Sequence, residues 1–181
     1  MGVLAELVAT AERLARRSLA SLPVRLAHTV GVARRAAALT GAVGGCVDEV
    51  VASAWLHDVR YAPEWAVTGS HPVDGAVAVG GPGFRRSWCR WWRITRALVE
   101  AEERGLLGLL DAFSAPPVGL LDVLTCADMT TSPSGALVSV DWRLAEILAR
   151  YPETDPVYRA VTRSAAGLRG AVSRVLSPGS G

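Results

Sequence analysis

The stretch Val50–Asp58, with the sequence VVASAWLHD, joins an apolar helical run to a terminal histidine and aspartate. Its apolar residues suit a buried helix, which predicts that His57 and Asp58 lie at a helix end. The chain holds only 3 histidines, so a histidine followed directly by an acid in this position is informative. The pair predicts a polar site at the end of a buried helix.

Helical periodicity extends along most of the remaining chain. It predicts helices over Leu4–Leu19, Val24–Gly41, Trp88–Glu103, Val118–Met129, Trp142–Tyr151 and Pro156–Leu176. Glycine and proline interrupt residues 60–84, and Pro133, Ser134 and Gly135 predict a turn. Because no stretch shows the alternation of a β-strand, we expect an all-α, single-domain helical bundle.

Within this single domain we expect four parts. An N-terminal helix covers residues 1–22, the main domain residues 23–151, a C-terminal helix residues 152–176 and a disordered tail residues 177–181. Half of the 181 residues are hydrophobic, which is enough for a substantial core.

The composition also favours some classes of protein over others. Uncharged stretches fall short of the roughly 18 apolar residues of a membrane span, and no export signal is visible. The 3 cysteines lack CxxC spacing, which suits a reducing cytosol. The net charge of +2 does not by itself indicate a nucleic-acid or membrane partner. We therefore expect a soluble, cytoplasmic protein.

Two other polar residues interrupt apolar helices. His28 lies within the predicted second helix, in the sequence RLAHTVGVA, and Asp128 closes the apolar run that begins at Val118. Considered one at a time, each residue has an ordinary structural explanation. His28 would be a hydrogen-bonded core histidine, His57 a cation at a helix C-terminus and Asp128 a helix cap. Together, two imidazoles and two carboxylates from separate helices make a mixed site for Mn, Fe, Ni, Co, Zn or Mg.

This order of residues resembles the HD-domain superfamily of metal-dependent phosphohydrolases. The resemblance runs from about Arg25 to Tyr151 and includes His28, the His57-Asp58 pair and a later Asp128. It is closest to bacterial HD proteins that carry stretches like Tyr61–Glu64, Thr68–Pro72 and Ala127–Thr131.

The resemblance implies a helical bundle around a divalent metal ion, with His28, His57, Asp58 and Asp128 as ligands. Such an ion lowers the pKa of bound water to roughly 7, and Asp58 would hold or deprotonate the attacking water. The implied substrate is a phosphate ester of a nucleotide or a small phosphorylated metabolite.

Two residues near the His-Asp pair have candidate roles in this chemistry. Arg60 is close enough in sequence to contact a substrate phosphate. His71 would bind a second metal or donate to a phosphate, although an idle loop histidine explains it equally well.

The chain departs from the family pattern at two places. Arg60 stands where many HD proteins have glycine, and a positive φ there would strain the chain by roughly 1 kcal/mol. The segment Val77–Ala97 lacks the adjacent histidines that complete a two-metal site in related proteins. These departures favour the alternative that the chain is a catalytically degenerate HD-like regulatory or interaction module.

Three hypotheses explain the segment Val77–Ala97. Trp88, Trp91 and Trp92 have helical spacing and suit a core stripe. Arginines interleaved with tryptophans also suit binding to single-stranded nucleic acid. We prefer a pair of compensating frameshifts, because GC-rich codons chosen for residues 87–97 encode an apolar helix with two adjacent histidines in another frame.

Overall fold

The computed structural model describes residues 3–40, 47–62, 95–105 and 118–177. These ranges contain seven α-helices and a 3₁₀ turn at Val59–Tyr61. The helices are α1 (Val3–Ser18), α2 (Pro23–Leu39), α3 (Val47–Leu56), α4 (Thr95–Glu103), α5 (Val118–Met129), α6 (Val140–Leu148) and α7 (Pro156–Leu176). The described ranges contain no β-strand, only an isolated bridge between Thr131 and Leu137. The all-α prediction is confirmed for this part of the chain.

The helix ends agree best with the prediction where proline marks the start. Both α5 and α7 begin and end at the predicted residues. Helix α6 begins earlier than predicted, at Val140, because the hydroxyl of Ser139 accepts a hydrogen bond from the Trp142 amide at 3.2 Å and caps the helix. Helix α4 matches the last nine residues of the predicted helix Trp88–Glu103.

Several predictions fall outside the described residues. These predictions include the role of His71, the loops at residues 63–84 and the tail from residue 178. They also include the tryptophans and arginines of the segment Val77–Ala97 that precede residue 95.

Helix α3 lies at the centre of the core. All its residues from Val50 to Leu56 are buried, and it packs against α1, α2 and α5. A helix that is apolar on every face needs neighbours on every face, which explains this position. Helix α7 packs against α4, α5 and α6. No helix in the described ranges has the length and apolar character needed to span a membrane.

Helix α2 and the turn after α5 approach each other closely at two glycines. Gly135 adopts a positive φ of 83°, which favours glycine, and its amide donates to the Ser132 carbonyl at 2.9 Å. A Cβ on Gly31 would lie only 2.6 Å from the Gly135 Cα atom. The absence of both side chains therefore lets the turn lie directly on α2, beside His28.

Candidate metal centre

Three of the four predicted ligands meet in the interior of the fold. His28 comes from the middle of α2, while His57 and Asp58 directly follow α3. Their ligand atoms all lie within 4.8 Å of one another, and the two imidazole rings are 5.4 Å apart between centroids. Because α2 packs against α3, residues 29 positions apart along the chain form one cluster. This group has the composition and spacing to hold a metal ion.

The ring of His57 is oriented by its own helix. Its Nδ1 lies 2.7 Å from the Ala54 carbonyl oxygen, and since a carbonyl only accepts, we assign the proton to Nδ1. The other nitrogen, Nε2, then presents a lone pair. It is buried and has no hydrogen-bond partner among the described residues. A buried acceptor without a partner costs free energy, so this nitrogen is well suited to bind a cation.

His28 is oriented in the same way by the turn after α5. Its Nδ1 donates to the Ser132 carbonyl oxygen at 3.0 Å, which turns Nε2 toward Asp128 Oδ1 at 3.1 Å. When the His28 ring is neutral, its Nε2 and the Asp128 Oδ1 both carry lone pairs. Two ligand atoms that each lie about 2.1 Å from a shared ion are roughly 3.0 to 3.4 Å apart at bond angles of about 90° to 109°. The observed spacing fits a shared cation.

Asp128 lies at the edge of this cluster. It is 5% exposed near the end of α5, and its contact with His28 joins it to the site. It lies outside the set of three residues whose ligand atoms are all mutually close. The Arg143 guanidinium lies 3.3 Å from His28 Nε2 and 3.8 Å from Asp128 Oδ1. Asp128 therefore keeps its place as a candidate fourth ligand, with an arginine beside it.

Asp58 is a buried carboxylate that pairs with an arginine. Arg25 Nη1 donates to its Oδ2 at 2.9 Å, and the Arg25 guanidinium lies 3.7 Å from the centre of the Tyr61 ring. Burial by itself raises the pKa of Asp58, but the charges of His57, Arg25 and His28 outweigh it and hold the pKa well below its usual range. Asp58 is therefore ionised at neutral pH, as a metal ligand must be.

The other two predicted site residues have different outcomes. Arg60 is 1% exposed in the 3₁₀ turn, and burial lowers its pKa to about 10. No residue other than glycine has a positive φ in the described ranges, so the backbone strain anticipated at Arg60 is absent. Its contact with a phosphate stays a prediction, as does the role of His71, which lies outside the described residues.

A cavity of about 380 Å³ opens beside His28, and sequence reasoning missed most of its polar lining. That lining includes Arg25, Tyr61, Arg143 and Arg150. Arg25 had a detectable signal, because it precedes His28 by three residues and so shares its helix face. Nothing in the sequence distinguished Arg143 and Arg150 from the other arginines, since all 19 Lys and Arg positions are arginine.

A scan against protein-family models, a search of curated proteins and a search of solved structures each found no match to this chain.

Proposed function

We propose that this chain is a metal-dependent phosphohydrolase of the HD type, acting on a phosphate ester of a nucleotide or a similar small phosphorylated metabolite. The observation that supports this most is the buried cluster of His28, His57 and Asp58, in which His57 Nε2 has no hydrogen-bond partner among the described residues. The order of these residues in the sequence resembles the HD superfamily, and the helical architecture agrees with that resemblance.

The donor set suits the proposed chemistry. Imidazole nitrogens and carboxylate oxygens together bind divalent ions such as Mn, Fe, Ni, Co, Zn or Mg. When bound, such an ion polarises a phosphate oxygen and lowers the pKa of water. The carbonyls of Ala54 and Ser132 hold the two rings with Nε2 facing the cluster, and partners of this kind raise metal affinity in known sites. Asp128 is the fourth ligand in this proposal.

A second candidate function is a non-catalytic HD-like module. The observation that favours it is the position of Arg143, whose guanidinium lies 3.3 Å from His28 Nε2. There the chain itself places a cation next to an atom that would bind the metal. In this alternative the helical scaffold serves regulation or assembly, and the cluster has no turnover.

The first experiment compares wild type with Asp58→Asn and with the control Asp141→Asn, whose exposed carboxylate pairs with Arg169 on the surface. Elemental mass spectrometry gives the metal content, and a screen over nucleotides and other phosphate esters gives turnover. We expect about one transition metal per chain and metal-dependent turnover in wild type and in Asp141→Asn. Both should be lost in Asp58→Asn.

Thermal unfolding gives an independent measure of the same site. An ion at about 100 times its Kd adds ~2.7 kcal/mol to the free energy of unfolding, which raises the Tm of a chain of this size by roughly 5 to 11 °C. Asp58→Asn should abolish most of this rise. Metal retained without turnover on any ester would favour the non-catalytic module, and no metal in wild type would refute the metal centre.

A further inference from the structure

The cavity beside His28 has a charged lining that is entirely cationic. Its charged residues among the described part of the chain are Arg25, Arg143 and Arg150, and no Asp or Glu of that part lines it. Much of the remaining wall is apolar and is formed by Leu22, Pro23, Val24 and Pro133. Its volume of about 380 Å³ lies in the range of small-molecule sites.

Carboxylates behind the wall hold these arginines in place. Arg25 donates to Asp58, while Arg143 and Arg150 both pair with one carboxylate, that of Glu146. Arg143 also forms an ion pair with Asp128 at 3.8 Å. These carboxylates fix the positions of the guanidinium groups, and none of them is among the described residues that line the cavity.

Arg143 has a second feature that points to a ligand. Its side chain is 3% exposed, and its Nε has no hydrogen-bond partner among the described residues. A buried guanidinium N–H without an acceptor costs free energy. An anionic oxygen bound in the cavity is the acceptor that best suits such a group.

Arg25 and Arg143 each contact a residue of the candidate metal centre. Arg25 contacts Asp58 at 2.9 Å and Arg143 contacts His28 at 3.3 Å, while the ligand atoms of Asp58 and His28 lie within 4.8 Å of each other. An anion bound to either guanidinium therefore lies close to the cluster. Guanidinium groups match the oxygen spacing of phosphate and bind it by paired hydrogen bonds.

We propose that this cavity is the substrate site, in which Arg25 and Arg143 bind the phosphate of a small phosphomonoester next to His28. The more exposed Arg150 lies at 36% exposure and adds charge toward the solvent side. The apolar wall takes the organic part of the ester. This inference rests on the proposed function for the choice of phosphate among anions.

The test is titration of the full-length protein with inorganic phosphate by isothermal calorimetry, once after metal depletion and once with Mn²⁺. The variants are Arg25→Met, Arg143→Met and Arg150→Met, which keep an unbranched chain and remove the charge. Arg169→Met is the matched control, because Arg169 is 52% exposed, pairs with Asp141 and is not among the residues that line the cavity. Circular dichroism checks that each variant folds.

We expect wild type and Arg169→Met to bind phosphate with equal affinity. Loss of a hydrogen bond to a charged group should weaken binding about tenfold to a hundredfold in Arg25→Met and Arg143→Met, with a smaller loss in Arg150→Met. Should Arg143→Met fail to fold, the partly exposed Arg25 and Arg150 decide the test.

The outcomes separate this inference from the proposed function. Arginine-dependent phosphate binding without hydrolysis of any ester would keep the phosphate site and reject the hydrolase. Metal-dependent hydrolysis with an unchanged KM in Arg25→Met and Arg150→Met would keep the hydrolase and reject the phosphate site. No phosphate binding by wild type in either metal state, or acetate binding as tight as phosphate, would overturn the assignment of the cavity.

Discussion

Replacing Gly31 by alanine tests whether the close approach of α2 to the turn after α5 positions His28. The new Cβ would lie 2.6 Å from the Gly135 Cα, 2.7 Å from the Gly135 carbonyl oxygen and 2.7 Å from Thr131 Cγ2. Two of these three atoms belong to backbone. The turn has little freedom to move away, because Ser132 accepts from the Gly135 amide and donates to the Ala136 carbonyl.

The size of the effect follows from two opposing contributions. Forcing an extra carbon into a packed contact costs about 1 to 3 kcal/mol. Because all three contacts are this short, we expect the cost at Gly31 to be ~3 kcal/mol. Alanine in place of glycine within a helix stabilises the folded state by about 1 kcal/mol. The free energy of unfolding should therefore fall by ~2 kcal/mol, which lowers the Tm by roughly 4 to 8 °C.

Gly170 in α7 supplies the matched control. A Cβ there would meet only the Nη1 atom of Arg174, at 3.2 Å. Arg174 pairs with Asp122, but its long side chain is 59% exposed, so the whole guanidinium group is able to shift slightly. Gly170→Ala should therefore gain about 1 kcal/mol from helix propensity and raise the Tm by roughly 2 to 4 °C.

Thermal unfolding followed by far-ultraviolet circular dichroism measures both variants, and calorimetry measures their affinity for Mn²⁺. We expect Gly31→Ala to bind metal more weakly than wild type, because the displaced turn carries the Ser132 carbonyl that orients His28. A melting temperature for Gly31→Ala equal to that of wild type would refute the close approach. A lower melting temperature with unchanged metal affinity would show that the turn supports the fold but not the ring.

Two further predictions concern contacts away from the cluster. Hydrogen bonds from Arg159 and Arg163 hold the pKa of Glu103 below its usual value, so this carboxylate stabilises the fold at neutral pH and loses that contribution as the pH falls below about 4.3. Glu103→Gln should therefore be less stable than wild type to urea at pH 7, with a gap that narrows in acid; a gap independent of pH would contradict the ion pairs. Asp155 caps α7 by accepting from the Val157 amide at 2.7 Å, so Asp155→Ala should lower the free energy of unfolding in urea by ~1 kcal/mol. Unchanged stability would mean that the proline at the first helical position is enough to start α7.

The helices were predictable because their signals are local. Proline begins α7 and precedes α5 in the sequence, and the apolar spacing within each helix predicts the rest. His28 and the His57-Asp58 pair stood out because histidine is scarce in this chain.

The surroundings of the site were not predictable, because they depend on tertiary packing. The hydrogen bond from His28 to Ser132 joins residues 104 positions apart, and no local pattern announces it. The same holds for Arg143, which lies 115 positions from His28. In a chain without lysine, arginine serves every cationic role, so the sequence does not separate the arginines of the cavity from those of the surface.

The ion pair between Arg25 and Asp58 bears on whether the fold depends on a bound ion. A carboxylate that is 4% exposed is costly to bury without an opposite charge, and Arg25 supplies that charge from within the chain. Folding then does not wait for an ion from solution, unlike the small zinc domains in which folding and metal binding are one event. In the proposed metal centre, ion binding would then be a separate step that follows folding.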